Sequence, residues 1–304
     1  MTRPLATLLL LACTMLWGFA FVAQKSAMDS MGPLTFAAAR YLLGGLVIMP
    51  LALFEHKRKK TPLSPRHWGL VMVLSVVFFL GSWLQQEGLI STTVTNGGFL
   101  TGLYVFFVPA IAFIVMRTKP HPVVLICVPL ALVGIYYLNG GGLDSFNLGD
   151  GIIVFSAVFW ACHVLMLGYI ARATGLPIYV SAISFLAAGL MALVFALVLE
   201  QPNIAALQAG WIQIAYTGIL STAVAFTFQA IGQQYVPSAN AAIILSAESL
   251  FAALGAAVVL GERLPLVGYF GASVLFIAIV VVETVPAVLE KRRLRVSAAE
   301  IMHP

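Results

Sequence analysis

Charge is what this 304-residue chain lacks: 9% of it is Asp, Glu, Lys or Arg, against 61% hydrophobic residues and a mean hydropathy of +1.02. So few charges exclude a soluble globule, in which about a quarter of residues are charged. They equally exclude a disordered chain, which needs high net charge and low hydrophobicity. Strand-length alternating segments of about 10 residues are missing too, so the apolar runs are helices and not the strands of a membrane barrel. Cysteine is scarce, with Cys13, Cys127 and Cys162 all inside apolar runs, and no secreted-type spacing links them. Each reads as a small hydrophobe. No phosphate-binding loop of the G-x-x-x-x-G-K-[ST] kind occurs, which removes direct ATP drive, and H-E-x-x-H is absent. The acids are dispersed over different helices, with no Ser/Lys pair or carboxylate dyad discernible, so the reading is not an enzyme, with neither cofactor nor metal expected. No ring of charge or filter-like repeat points to a channel.

What is present is a series of uncharged runs, each close to the 20 or so residues that span a bilayer. Breaks at polar, Pro and Gly clusters predict helices near 5–24, 33–54, 68–91, 95–116, 122–139, 150–171, 177–199, 211–234, 238–260 and 265–289. The expected fold is therefore an all-α integral membrane protein with ten transmembrane helices. The first run follows Arg3 as a signal peptide would, but it is too long for a typical h-region and has an internal copy, so it is read as a span.

Basic residues set the orientation, because short loops rich in Lys and Arg stay in the cytoplasm. With both termini inside, thirteen are cytoplasmic: Arg3, Lys57, Arg58, Lys59, Lys60, Arg66, Arg117, Lys119, Arg172, Lys291, Arg292, Arg293 and Arg295. Lys25 and Arg263 fall outside and Arg40 sits within a helix. The net charge of +5 is thus a topology signal with some affinity for anionic headgroups. The runs EHKRKK and KRRLR flank membrane helices, so nucleic acid is not an expected partner. The expected setting is a bacterial inner membrane, the partners a lipid bilayer and a small-molecule substrate, the oligomeric state either monomer or higher.

Sliding the chain by about 144 residues brings LACTMLWGFA with Trp17 onto IVFSAVFWAC with Trp160, Gln85 onto Gln229, Gly88 onto Gly232 and Asn96 onto Asn240. Five helices per half is an odd number, so the second half enters the membrane from the opposite side. That is an inverted repeat, which places a solute site near the midplane between halves. The expected division is residues 1–145 as the first repeat, 146–290 as the second and 291–304 as a basic cytoplasmic tail.

Leu16, Trp17, Gly18, Phe19 and Lys25 in helix 1, Arg40 in helix 2, TNGGFLTGLYVFFVP in helix 4 and AESLFAALGAAVVLGERL in helix 9 resemble the drug/metabolite transporter superfamily. Within it the chain is similar to the ten-helix EamA-like exporters, more narrowly to bacterial amino-acid exporters. The resemblance covers both halves. It implies ten helices around a central cavity and export by alternating access.

Polar groups in a span are costly unless they face protein or water, which makes them the candidates for solute contact. Spacing puts Thr101 and Tyr104 on one face of helix 4 and Gly98 with Gly102 on another, where small residues let backbones approach. Glu248, mid-helix, is either the partner of a substrate ammonium or transported proton, or a hydrogen-bonded packing residue. Gln85 and Gln229 suit a zwitterion or amide, and equally serve as interhelical glue. Trp17 and Trp160 lie too deep for an interfacial belt and either stack an apolar or flat side chain or simply pack. His163, near Trp160, reads substrate, carries protons or is structural. Asn96 is expected to cap its helix, Asn240, its counterpart, to be structural, and Pro109 to bend helix 4. Glu262 beside Arg263 marks a turn. Arg40 is expected to snorkel or hold a helix-end carbonyl. One deep cation argues against a carrier of phosphorylated sugars, which needs several. The sequence thus points to a secondary transporter exporting small neutral metabolites, aromatic or other neutral amino acids first, drugs or other metabolites second.

Overall fold

The computed structural model describes residues 1–59, 62–115, 117–138, 140–141, 147–261, 263 and 265–302. Glu262 lies outside them. The chain is 84% helical, and no strand occurs among the described residues. Among the described residues, eight segments are long and apolar enough to cross a membrane, and two shorter apolar helices, Pro122–Tyr137 and Leu266–Val282, stand where spans five and ten were expected. Large apolar side chains such as Leu46, Phe54, Phe113, Val198 and Leu199 stand exposed around the outside. In water so much exposed hydrocarbon would aggregate; in a bilayer it is the lipid-facing surface. This is a multi-pass membrane protein.

The elements are α1 (Arg3–Ala27), α2 (Pro33–Lys59), α3 (Pro65–Gly88), α4 (Val94–Gly102), α5 (Tyr104–Ile114), α6 (Pro122–Leu138), α7 (Leu148–Thr174) and α8 (Pro177–Leu199). Two short helices, α9 (Ile204–Ala209) and α10 (Trp211–Ala215), lead into a π-helical segment, Tyr216–Phe226, followed by α11 (Thr227–Gly232), α12 (Ser238–Leu245), α13 (Glu248–Val259) and α14 (Leu266–Met302). Several boundaries recur 144 residues apart: helix starts at Pro33 and Pro177, Val94 and Ser238, Pro122 and Leu266, and helix ends at Gly88 and Gly232. The tail expected from Lys291 onward continues α14 without a break.

Two of the expected spans are broken. The segment 94–114 divides at Leu103, and 238–259 divides at Ser246 and Ala247; Leu103 and Ala247 are again 144 apart. The turn is tightened by short-range bonds, Phe106 N to Leu103 O at 3.0 Å in one and Leu250 N to Ala247 O at 3.0 Å in the other. Pro109, the expected bend, lies inside the unbroken α5. The π segment was not expected at all. Widening a helix turn in this way re-aims side chains and is common at functional sites.

Helices α2 and α8 lie antiparallel, and each ends on the other's start. Glu200, just past the end of α8, accepts from Leu34 N at 2.8 Å, Thr35 N at 2.7 Å and Thr35 Oγ1 at 2.7 Å. Glu55, near the end of α2, accepts from Tyr179 N at 2.9 Å. Each carboxylate satisfies backbone N–H groups that the first helical turn leaves unpaired, and its charge complements the helix dipole.

Candidate functional site

The segments α1, α2, α3, α4, α5, α7, the π segment, α11 and α13 converge on a central cavity enclosing about 470 Å³ of empty space, its open mouth included. On α1, Trp17, Phe21 and Gln24 share one face by their spacing of four and three. Arg40 and Tyr41 come from α2, Gln85 from α3, Thr101 and Tyr104 from either side of the Leu103 break, and Trp160 with Val164 from α7. Ser221 and Phe226 come from the π segment, Gln229 from α11 and Glu248 from the first residue of α13. The helix breaks thus fall where Tyr104 and Glu248 reach the cavity.

The wall is unusual for its unpaired polar atoms. Thr101 Oγ1, Trp160 Nε1, Arg40 Nε and both Gln229 side-chain heteroatoms are buried without an intramolecular hydrogen bond. A buried polar group left unpaired costs about 1–3 kcal/mol, so such groups gathered on one cavity wall mark where water or solute belongs. The Tyr104 hydroxyl and the Glu248 carboxylate face each other, and the buried Cys13 thiol is within electrostatic reach of Glu248. Between the polar groups stand aromatic faces: Trp17 and Phe226 with centroids 4.5 Å apart, and Phe226 stacked against Trp160 at 5.9 Å. Trp17 Nε1 donates to the Ser221 carbonyl at 3.1 Å, tying α1 to the π segment.

Seven of the eight expected contact residues therefore come together: Trp17, Gln85, Thr101, Tyr104, Trp160, Gln229 and Glu248. His163 does not reach the cavity. It is buried behind it, with ring centroids 5.2 Å from Phe78, 5.6 Å from Trp160 and 5.7 Å from Phe226.

The chain is matched by the sequence profile of the EamA-like transporter family over residues 4–140 and again over 147–284. It belongs to that family. An uncharacterized transporter of Archaeoglobus fulgidus is 31% identical over 285 residues, covering 92% of this chain and 86% of that one. YwfM, an uncharacterized transporter of Bacillus subtilis, is 24% identical over 92% of this chain and 94% of its own length. An S-adenosylmethionine/S-adenosylhomocysteine transporter of Chlamydia muridarum is 30% identical over 150 residues, 48% of this chain and 46% of that protein. A solved crystal structure superposes with a TM-score of 0.76 over 96% of this chain and 99% of its own, at 18% identity, a likeness of fold.

Within this EamA-like chain the remaining expectations divide. Gly98 and Gly102 sit where α4 crosses α13: a Cβ on Gly98 would stand 2.7 Å from the Ala252 Cβ, and one on Gly102 2.8 Å from Ser249 Oγ. Ser249 Oγ donates to the Gly98 carbonyl at 2.8 Å across that contact. Asn96 does not cap α4. Thr93 is the N-cap, its Oγ1 accepting from Asn96 N at 3.2 Å, because a hydroxyl just before the first turn reaches the third amide. Asn240, the structural counterpart of Asn96, donates from Nδ2 to the Val282 carbonyl at 3.1 Å, joining α12 to α14.

Arg40 neither snorkels nor holds a helix-end carbonyl. It is 3% exposed, and its guanidinium donates from Nη1 to Gln24 Oε1 at 2.9 Å and from Nη2 to the Tyr41 hydroxyl and to Ser82 Oγ at 3.3 Å. It also lies over the Phe36 and Tyr41 rings, 5.1 and 4.5 Å from their centroids. Gln24, Tyr41, Ser221 and Phe226 are cavity residues that the sequence reading did not name. Gln24 carried a signal, an amide seven residues beyond Trp17 on the same face; Phe226 carried none, since the π segment decides where it points.

Proposed function

We propose that this EamA-like protein is a secondary transporter that exports small neutral metabolites, amino acids with apolar or aromatic side chains first among them, by alternating access through the cavity between Trp17 and Glu248. In this reading the chain forms ten spans in two inverted five-helix repeats, residues 1–145 and 146–290, in a bacterial inner membrane with both termini cytoplasmic. The observation that carries it is the wall of buried, unpaired polar atoms set between aromatic faces. Tyr104, Thr101, Trp160 and Gln229 offer donors and acceptors to a solute head group, while Trp17, Phe226 and Trp160 flank its side chain. Glu248 is the carboxylate for a cation, a solute ammonium or a transported proton. The match of the family profile to each half and the boundaries spaced 144 residues apart support the repeat.

Counterflow in proteoliposomes over the standard amino acids, drugs and methyl viologen-like cations, with and without a pH gradient, tests it. Exchange of neutral amino acids is the expected result, and failure of all of them to exchange would overturn the substrate assignment. A second reading, export of larger metabolites with a flat ring, is favoured by the half-length likeness to the chlamydial transporter and by the Trp17, Phe226 and Trp160 array. Adding S-adenosylmethionine to the same panel separates the two.

A further inference from the structure

Arg40 is a buried cation without an anion. Its described partners, Gln24, Tyr41, Ser82 and the Phe36 ring, are all neutral, and no carboxylate among the described residues pairs with it. A buried charge is tolerated when paired, and neutral dipoles with a cation–π face offset only part of the desolvation cost. Of the five guanidinium N–H donors, three are engaged. Nε–H is unpaired and buried, one Nη1–H remains, and the residue lines the central cavity.

We infer that Arg40, braced by Gln24, Tyr41 and Ser82, is the subsite for the carboxylate of the transported solute. This rests on the transporter reading above and sharpens it: the solute carries a carboxylate that takes one charge-assisted hydrogen bond from the free Nε–H, because Nη2, on the same edge of the guanidinium, is already committed to Tyr41 and Ser82. The subsite is separate from Glu248. Within the one cavity Arg40 is bonded to Gln24, whereas Glu248 interacts with Tyr104 and with Cys13, and Gln24 and Cys13 leave α1 about 16 Å apart at 1.5 Å per residue, toward different ends of the cavity. A carboxylate held at Arg40 sits at the end of the cavity that Gln24 lines, and Glu248 takes a transported proton, or the solute ammonium at another position along the pathway.

The test compares a neutral amino acid that the protein exchanges with its carboxamide, in counterflow competition. The parent is expected to prefer the acid by about tenfold, the worth of one charge-assisted hydrogen bond. Arg40→Gln should lower the affinity for the acid to that of the amide and leave the amide unchanged, Arg40→Lys should keep a smaller preference, and Glu248→Gln should keep the full ratio. An unchanged ratio in Arg40→Gln overturns the assignment. If that variant does not fold, a parent ratio near one, or a ratio that Arg40→Lys leaves intact, does the same. If no amino acid exchanges, the substrate assignment fails independently, and the subsite is then read by the thermal midpoint of the detergent-solubilised protein. Stabilisation by 4-methylvalerate but not its amide supports the subsite, and equal effects overturn it.

Discussion

Glu248 is the one acid on the cavity wall among the described residues, and it stands at the start of a helix, where a negative charge is favoured by the dipole. Glu248→Gln keeps the shape and removes the charge, so the variant is expected to transport at a rate that no longer responds to an imposed pH gradient, measured by proteoliposome flux. Equal rates in the variant and the parent under both conditions would remove Glu248 from coupling. Trp17 makes a narrower prediction. Trp17→Phe keeps a ring against Phe226 but loses the bond from Nε1 to the Ser221 carbonyl, about 1 kcal/mol, and is expected to lower the thermal midpoint modestly while sparing aromatic preference. At this scale the sequence was informative for a physical reason: a Gln, Glu, Thr or Trp inside hydrocarbon is costly, so each stands out against its neighbours. Where such a group points was not legible. Arg40 has the reach to go either way along its helix, and only the positions of Gln24, Tyr41 and Ser82 decide that it turns inward.

At the scale of elements, two devices hold the bundle, and both join segments far apart in the chain. Glu200 and Glu55 tie opposite ends of the α2 and α8 pair. Glu200→Ala should leave two amides of α2 unpaired and cost about 2 kcal/mol, the upper range for a partly buried helix-end charge, seen as a lowered thermal midpoint in detergent. Glu200→Gln, which still accepts, should cost less. The second device is the α4 and α13 crossing. Gly98→Ala puts a methyl group against Ala252 and should cost about 1–3 kcal/mol through overpacking. The double variant with Ala252→Gly is expected to recover most of that loss; an unchanged midpoint in Gly98→Ala, or a double variant no more stable than Gly98→Ala, would remove this contact as the reason for the glycine. The small-residue stripe was visible in the sequence as spacing. The breaks at Leu103 and at Ser246 and Ala247 were not, since leucine and alanine are good helix formers and the break belongs to the crossing. The π segment was hidden for the same reason: TGILSTAVAF reads as an ordinary span.

For the molecule as a whole, orientation decides what the cavity does. Lys25 donates to the Leu89 and Ile90 carbonyls at 2.8 and 2.9 Å, and Arg172 donates to the Gln233 carbonyl at 2.7 Å. Leu89 and Gln233 are 144 residues apart and follow the equivalent ends of α3 and α11, so a cation compensates the same helix terminus in each half. In the proposed orientation, with both termini cytoplasmic, Lys25 would face outward and Arg172 inward, and the carbonyls that hold Lys25 would absorb its charge locally. Arg40, bonded to Gln24 one residue before Lys25, then lies toward the outer end of the pathway. Fusing green fluorescent protein after Pro304 should give fluorescent cells, and alkaline phosphatase inserted after Gln201, between α8 and α9, should be active outside. The reverse pair of results would turn the molecule over. Arg40 would then lie nearer the cytoplasm, so that a carboxylate bound there would be the first contact of a solute leaving the cell instead of the last.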